Sequence, residues 1–149
     1  AQEGCAAYQQ MVSRLRTAGE MAKQEGITIG IRTGMGAKFD KKLLKKVGSS
    51  QIKVYYNFQD AADHHRDICK ELRKLGAQRI VQIHVSNTDS VNLQEDPEIN
   101  LPKIRKTLDK MKWSGWLVVE RSRDVKRVRD VKYNFGRNIA YLKQVFQER

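Results

Sequence analysis

Four short runs rich in β-branched residues recur along this chain, three of them directly preceded by an amphipathic helical stretch that glycine ends, and this alternation leaves few folds open. Residues 6–24 place Tyr8, Met11, Leu15, Ala18 and Met21 or Ala22 at three- and four-residue steps, one helical stripe, and Gly26 ends it. Residues 27–31 carry isoleucine at 27, 29 and 31, a strand pattern, and exit through Arg32-Thr33-Gly34-Met35-Gly36. Asp40 is read as the cap of a second helix that runs to Val47 and stops at Gly48, ahead of a strand over 52–56. A third helix over 63–75 buries Ile68, Leu72 and Leu75, and a third strand follows at 79–85. After a polar loop over 86–100, Pro102 opens a fourth helix to about Met111, and 115–120 is the fourth strand. A charged loop, 121–132, leads to a last helix over 134–146 with Ile139, Leu142, Val145 and Phe146 inward.

Helices between short strands make right-handed crossovers and a parallel sheet. The expected class is therefore α/β, alternating βα units with four parallel strands and about five helices, in one domain over 1–149. A (β/α)8 barrel needs eight strands and about 250 residues, so one copy is half of such a barrel or keeps an open sheet. Four strands leave two unpaired edges and one half-exposed apolar face, which a second copy or a separate N-terminal half would cover.

Charge narrows the partners. Lys and Arg number 29 against 17 Asp and Glu, a net charge of +12, which favours phosphates, phosphosugars or nucleic acid at the encounter. Recurrent apolar periodicity excludes intrinsic disorder, and no run approaches the roughly 18 apolar residues of a membrane span. Ala1-Gln2-Glu3-Gly4 lacks the basic and apolar regions of a signal peptide, and the compartment is left open. Cys5 and Cys69 match neither a disulfide framework nor a metal spacing, and are read as buried or idle thiols.

In parallel α/β architectures chemistry gathers at the carboxyl ends of the strands. Those positions are Arg32; Asn57 with Gln59 and Asp60; His84 with Asn87 and Asp89; and Glu120 with Arg121 and Arg123. An imidazole and a carboxylate on adjacent strands, His84 and Glu120, could share a divalent metal or act as acid and base. Glu120 interrupts the apolar run of Leu117, Val118 and Val119, so it serves a site or pairs with a neighbouring arginine. Arg121 and Arg123 could clamp a phosphate or carboxylate through their planar forks, or pair with Asp124, Asp130 or Glu120.

Other groups read as structural. His64 and His65 point about 100° apart on a helix and do not face one ion. Lys41, Lys42, Lys45 and Lys46 flank Leu43 and Leu44 as the solvated side of a helix rather than a nucleic-acid stripe. Gly34 and Gly36 complete no dinucleotide fingerprint, and Trp113 and Trp116 read as packing residues.

Gly26-Ile27-Thr28-Ile29-Gly30-Ile31, Val54-Tyr55-Tyr56-Asn57, Arg79-Ile80-Val81-Gln82-Ile83-His84-Val85 and Trp113-Ser114-Gly115-Trp116-Leu117-Val118-Val119-Glu120, in that order, resemble the sugar phosphate isomerase/epimerase family, whose fold is the xylose isomerase-like TIM barrel. The resemblance spans nearly the whole chain and the C-terminal half of the barrel. It implies a divalent metal, such as manganese, zinc, cobalt or magnesium, held by a glutamate, an aspartate, a histidine and a second glutamate at four strand ends. It also implies a proton shift beside a sugar carbonyl. His84 falls on the metal histidine and Glu120 on the last glutamate, which is also the catalytic acid/base. Arg32 and Asn57 stand at the other two ligand positions, so the implied metal site has lost much of its negative charge. Asn57, Asn87, Asp89, Arg121 and Arg123 are the expected substrate-binding residues, for a carbohydrate or sugar phosphate. The alternative expectation is a non-catalytic barrel module that binds sugars or anions. The same barrel is shared by DNA-repair endonucleases, and a nucleic-acid binder of that kind is the minor alternative, since the net charge suits a phosphate backbone while the further histidine and acidic ligands of their three-zinc centre are not in this sequence.

Overall fold

The computed structural model describes residues 4–85 and 88–148. Helix α1, Ala6–Gln24, leads into strand β1, Ile29–Ile31, and the alternation continues with α2, Ala37–Val47, and β2, Ile52–Asn57. Two helices then follow, α3, Phe58–Ala62, and α4, Ile68–Leu75, before β3, Ile80–His84. Helix α5, Leu101–Lys110, strand β4, Trp116–Val118, and helix α6, Val131–Phe146, complete the order. The four strands form one parallel sheet in the order β1-β2-β3-β4. Each new strand is added on the same side of the last, with no reversal of order, as a (β/α)8 barrel is built and a doubly wound sheet is not. The fold is thus α/β, a partial TIM barrel.

Side-chain alternation decides which face packs. Ile52, Val54 and Tyr56 are buried, whereas the intervening Lys53 and Tyr55 are only half-buried. The buried set joins Leu43 and Val47 of α2, Leu72 and Leu75 of α4, and Ile104 and Leu108 of α5 in one core. The opposite face carries Gly30, Lys53, Tyr55, Gln82 and His84, and Trp116 is 77% exposed. Trp113 is the packing residue of the expected pair, its indole N–H donating to Ile80 O at 3.1 Å, and Trp116 is not. Among the described residues no helix is long and apolar enough to cross a membrane.

Element ends depart from the sequence reading where side chains intervene. Asp40 does not cap α2: Gly36, at φ 88°, is the cap, and Asp40 lies buried within the helix. The expected helix over 63–75 begins only at Ile68, capped by the Asp67 carboxylate, which accepts from Lys70 N at 2.9 Å. His65, at φ 51°, separates it from the unforeseen α3, so the described helices number six rather than five. In α1 the buried positions are Tyr8, Val12, Gly19 and Ala22, and Met21 is 61% exposed, a stripe rotated from the expected one. Helix α6 starts at Val131, because Asp130 accepts from Tyr133 N, and Ile139 is exposed rather than inward. Cys5 is exposed and Cys69 buried, both free.

Candidate functional site

Register brings the strand ends level. Asn57 pairs with His84 across β2 and β3, and His84 with Val118 across β3 and β4, so the loops beyond leave from one rim. His84 Nδ1 lies 3.2 Å from Glu120 Oε2, and its Nε2 lies 3.0 Å from the Gln82 side-chain amide. A carboxylate only accepts and an amide N–H only donates, so these partners assign the proton to Nδ1 and leave Nε2 as acceptor. The Tyr55 ring stacks on the imidazole with centroids 4.8 Å apart and planes at 29°. His84 is therefore held from three sides, its side chain 16% exposed against 50% for Glu120.

Two arginine clusters flank this pair. At the end of β1, Arg32 donates to both oxygens of Asp60 at 2.8 and 2.6 Å. That hydrogen bonding, with a lesser part from Tyr55, holds the guanidinium above its ordinary pKa. Beyond β4, Arg121 and Arg123 converge on Asp89, Arg121 at 3.1 and 3.2 Å and Arg123 at 2.6 and 2.9 Å. Arg123 first, then Arg121, pull the Asp89 carboxyl down to about 2. Asp89 thus takes the place expected for Asp124, Asp130 or Glu120. Asn57 is buried and its Oδ1 accepts from Gln59 N at 2.9 Å, capping α3. Asn87 lies outside the described residues.

The rim rests on buried amides. Asn134 Oδ1 accepts from Asn92 and from Asp124 N, and Asn138 donates to Ser122 O at 2.7 Å while accepting from Leu93 N. Ser122 sits fully buried at φ 70°, so this network clamps the loop that carries Arg121 and Arg123 onto α6. On the other flank, Arg66 bridges Gly34 O and Asp60 O, and Thr33 donates to Asp40 at 2.5 Å. Burial, the largest influence on Asp40, pushes its carboxyl up to about 6, with Glu71 and Asp60 adding repulsion and Thr33 and Arg66 opposing.

Neither Tyr55 nor Gln82 was singled out in the sequence, although alternation carries the signal: Gln82 stands two before His84, and Tyr55 two before Asn57. The amide network has no short-range signal, because its bonds join positions 10 to 45 apart.

The fold class and this rim define a barrel of the kind that gathers its chemistry at the carboxyl ends of its strands. Residues 1–145 match the family model described as xylose isomerase-like TIM barrel, and the chain belongs to that family. Solved structures agree. A D-psicose 3-epimerase studied in the presence of D-fructose superposes with TM-score 0.80 at 14% identity, over 97% of this chain and 59% of its own. The D-psicose 3-epimerase of Clostridium cellulolyticum H10 gives 0.75 at 15% identity, over 93% and 55%. An AP endonuclease, family 2, from Brucella melitensis gives 0.69 at 16% identity, over 91% and 57%. At such identities the likeness establishes the fold alone, and the chain spans somewhat more than half the length of these proteins. No curated protein sequence matches the chain significantly.

Proposed function

We propose that the strand-end rim binds a carbohydrate, as the free sugar or its phosphate, and moves a proton at the carbon beside its carbonyl. The observation that carries this reading is the hydrogen bond of His84 Nδ1 to Glu120 Oε2, with Gln82 and Tyr55 fixing the imidazole. Glu120, the more exposed partner, is the base that takes the carbon-bound proton and returns it to the neighbouring carbon. As the electrons move onto the carbonyl oxygen, the His84 Nδ1–H turns from Glu120 to that oxygen and stabilises the enediolate. Arg121 and Arg123 retain N–H groups beyond those spent on Asp89, and these suit a sugar phosphate or a ring hydroxyl. Support comes from family membership and from the sugar epimerases among the structural neighbours.

The test is isomer formation from ketohexoses and their phosphates by wild type, Glu120→Gln and His84→Gln. We expect each variant to lose at least about 100-fold in turnover while melting at the wild-type temperature, the usual weight of a positioned acid or base. Full turnover by Glu120→Gln would refute the assignment. A second reading, a non-catalytic sugar- or anion-binding module, is favoured by Arg32 and Asn57, whose side chains are engaged within the chain. It is the reading that survives if sugars bind to the rim and no wild-type turnover is found.

A further inference from the structure

The resemblance calls for a divalent ion among four strand ends, and the donors this chain places there can be weighed against that demand. At the end of β1 stands Arg32, a cation without a lone pair, locked by two hydrogen bonds to Asp60. At the end of β2 the ligand atom of Asn57 is spent on Gln59 N, and an amide oxygen brings no charge. On β3 both ring nitrogens of His84 are engaged, one by Glu120 and one by Gln82. That leaves Glu120 as the one carboxylate at the four positions, since Arg32 and Asp60 cancel each other and both Asp60 oxygens are spent on the guanidinium, where a divalent ion is normally neutralised by several carboxylates. The Arg32–Asp60 pair therefore fills a ligand position without bringing negative charge to it.

The same geometry gives Arg32 something to do. Tyr55 stands on β2, between the strands that lead to Arg32 and His84, and its ring stacks on the imidazole. Strands lie about 4.8 Å apart, so the ends of β1 and β3 are about 10 Å apart, within reach of a single sugar-sized ligand. We infer that the strand-end site holds no divalent ion, and that the Arg32 guanidinium, fixed by Asp60, occupies the place of one of its ligands. The inference goes beyond the proton-transfer reading and does not depend on Glu120 acting as a base.

The test is a Mn2+ titration of the 149-residue chain, read by the electron paramagnetic resonance of free Mn2+ and by thermal melting. We expect no saturable binding by wild type up to about 1 mM and no shift of the melting temperature. The double variant Arg32→Glu/Asn57→Asp restores two carboxylates beside His84 and Glu120; we expect it to bind one Mn2+ per chain and to melt higher as Mn2+ is added. Should that variant fail to fold, Arg32→Gln, which removes the charge and keeps a donor for Asp60, is expected to bind Mn2+ at least tenfold more tightly than wild type. Stoichiometric Mn2+ binding by wild type that His84→Ala abolishes overturns the inference. So does a folded double variant that remains silent, since Arg32 and Asn57 would then not be what excludes the ion. Because the titration reads binding alone, its outcome leaves the Glu120 turnover test standing by itself.

Discussion

Two carboxyl groups on opposite flanks of the rim titrate in opposite senses, and the difference follows from what each is given as a neighbour. Asp40 is buried beside Thr33 with Glu71 and Asp60 nearby, and its folded pKa of about 6 lies above the ordinary value. An acid whose pKa rises on folding binds more protons when native, so its contribution is present at low pH and lost as pH rises through about 4 to 6. We expect Asp40→Asn, which keeps an acceptor for Thr33, to gain stability over wild type by about 2 kcal/mol more at pH 7 than at pH 4 in urea melts. A pH-independent difference would contradict this. Asp89 behaves the other way: Arg123 and Arg121 pull it down to about 2, so its contribution is present above about pH 4 and lost as pH falls towards 2. Asp89→Asn should therefore destabilise the chain at pH 7 and converge with wild type only as pH falls to about 2. His84 and Glu120 were legible in the sequence because a polar residue that ends or interrupts an apolar strand is conspicuous. The partner of Arg121 and Arg123 was not, because Asp89 lies more than 30 positions away and nearer acids compete for the assignment.

Elements were legible as types and less so at their ends. Helix α4 starts five residues late because the chain between Asp63 and Asp67 is held otherwise, Arg66 N donating to Ala61 O and its guanidinium to Gly34 O and Asp60 O. Side-chain bonds of this reach leave no periodic trace. The rotated stripe of α1 has a local cause in Gly19, where a Cβ would lie 2.4 Å from Ser49 Oγ and 2.6 Å from its Cβ. Gly19→Ala should gain about 1 kcal/mol of helix propensity, yet we expect net destabilisation in thermal melts, since α1 must move away from the turn before β2. Stabilisation would show that this contact relaxes freely. Asn138→Ala should cost about 2 kcal/mol in urea denaturation, by leaving Leu93 N buried without its acceptor, while Ser122 O keeps the Asn92 amide as donor.

At the scale of the whole molecule, the sequential order of four parallel strands fits the arithmetic that gave half a barrel, and it leaves one face of the sheet with Tyr55, Gln82 and Trp116 uncovered. Beyond β4, Leu117 and Val119 with Phe135, Ile139 and Phe146 of α6 line a groove at the open edge. Exposed edges and apolar grooves drive association, while a charge of +12 on each copy opposes it. We expect light scattering to find species heavier than the 17.2 kDa monomer, increasingly so as salt screens that charge. A lone monomer at every salt concentration would show that neither edge needs covering. Strand count and direction were readable because hydrophobic period is a local property, whereas the covering of an open sheet face is a long-range one. We propose that Glu120 and His84 move a proton beside a carbonyl. It is tested most directly by incubating the chain with D-fructose in D2O and following deuterium at the carbons next to the carbonyl by NMR. We expect incorporation above the buffer rate by wild type and a loss of at least about 100-fold in Glu120→Gln. Equal incorporation by the two proteins, or none above buffer by wild type, would contradict it.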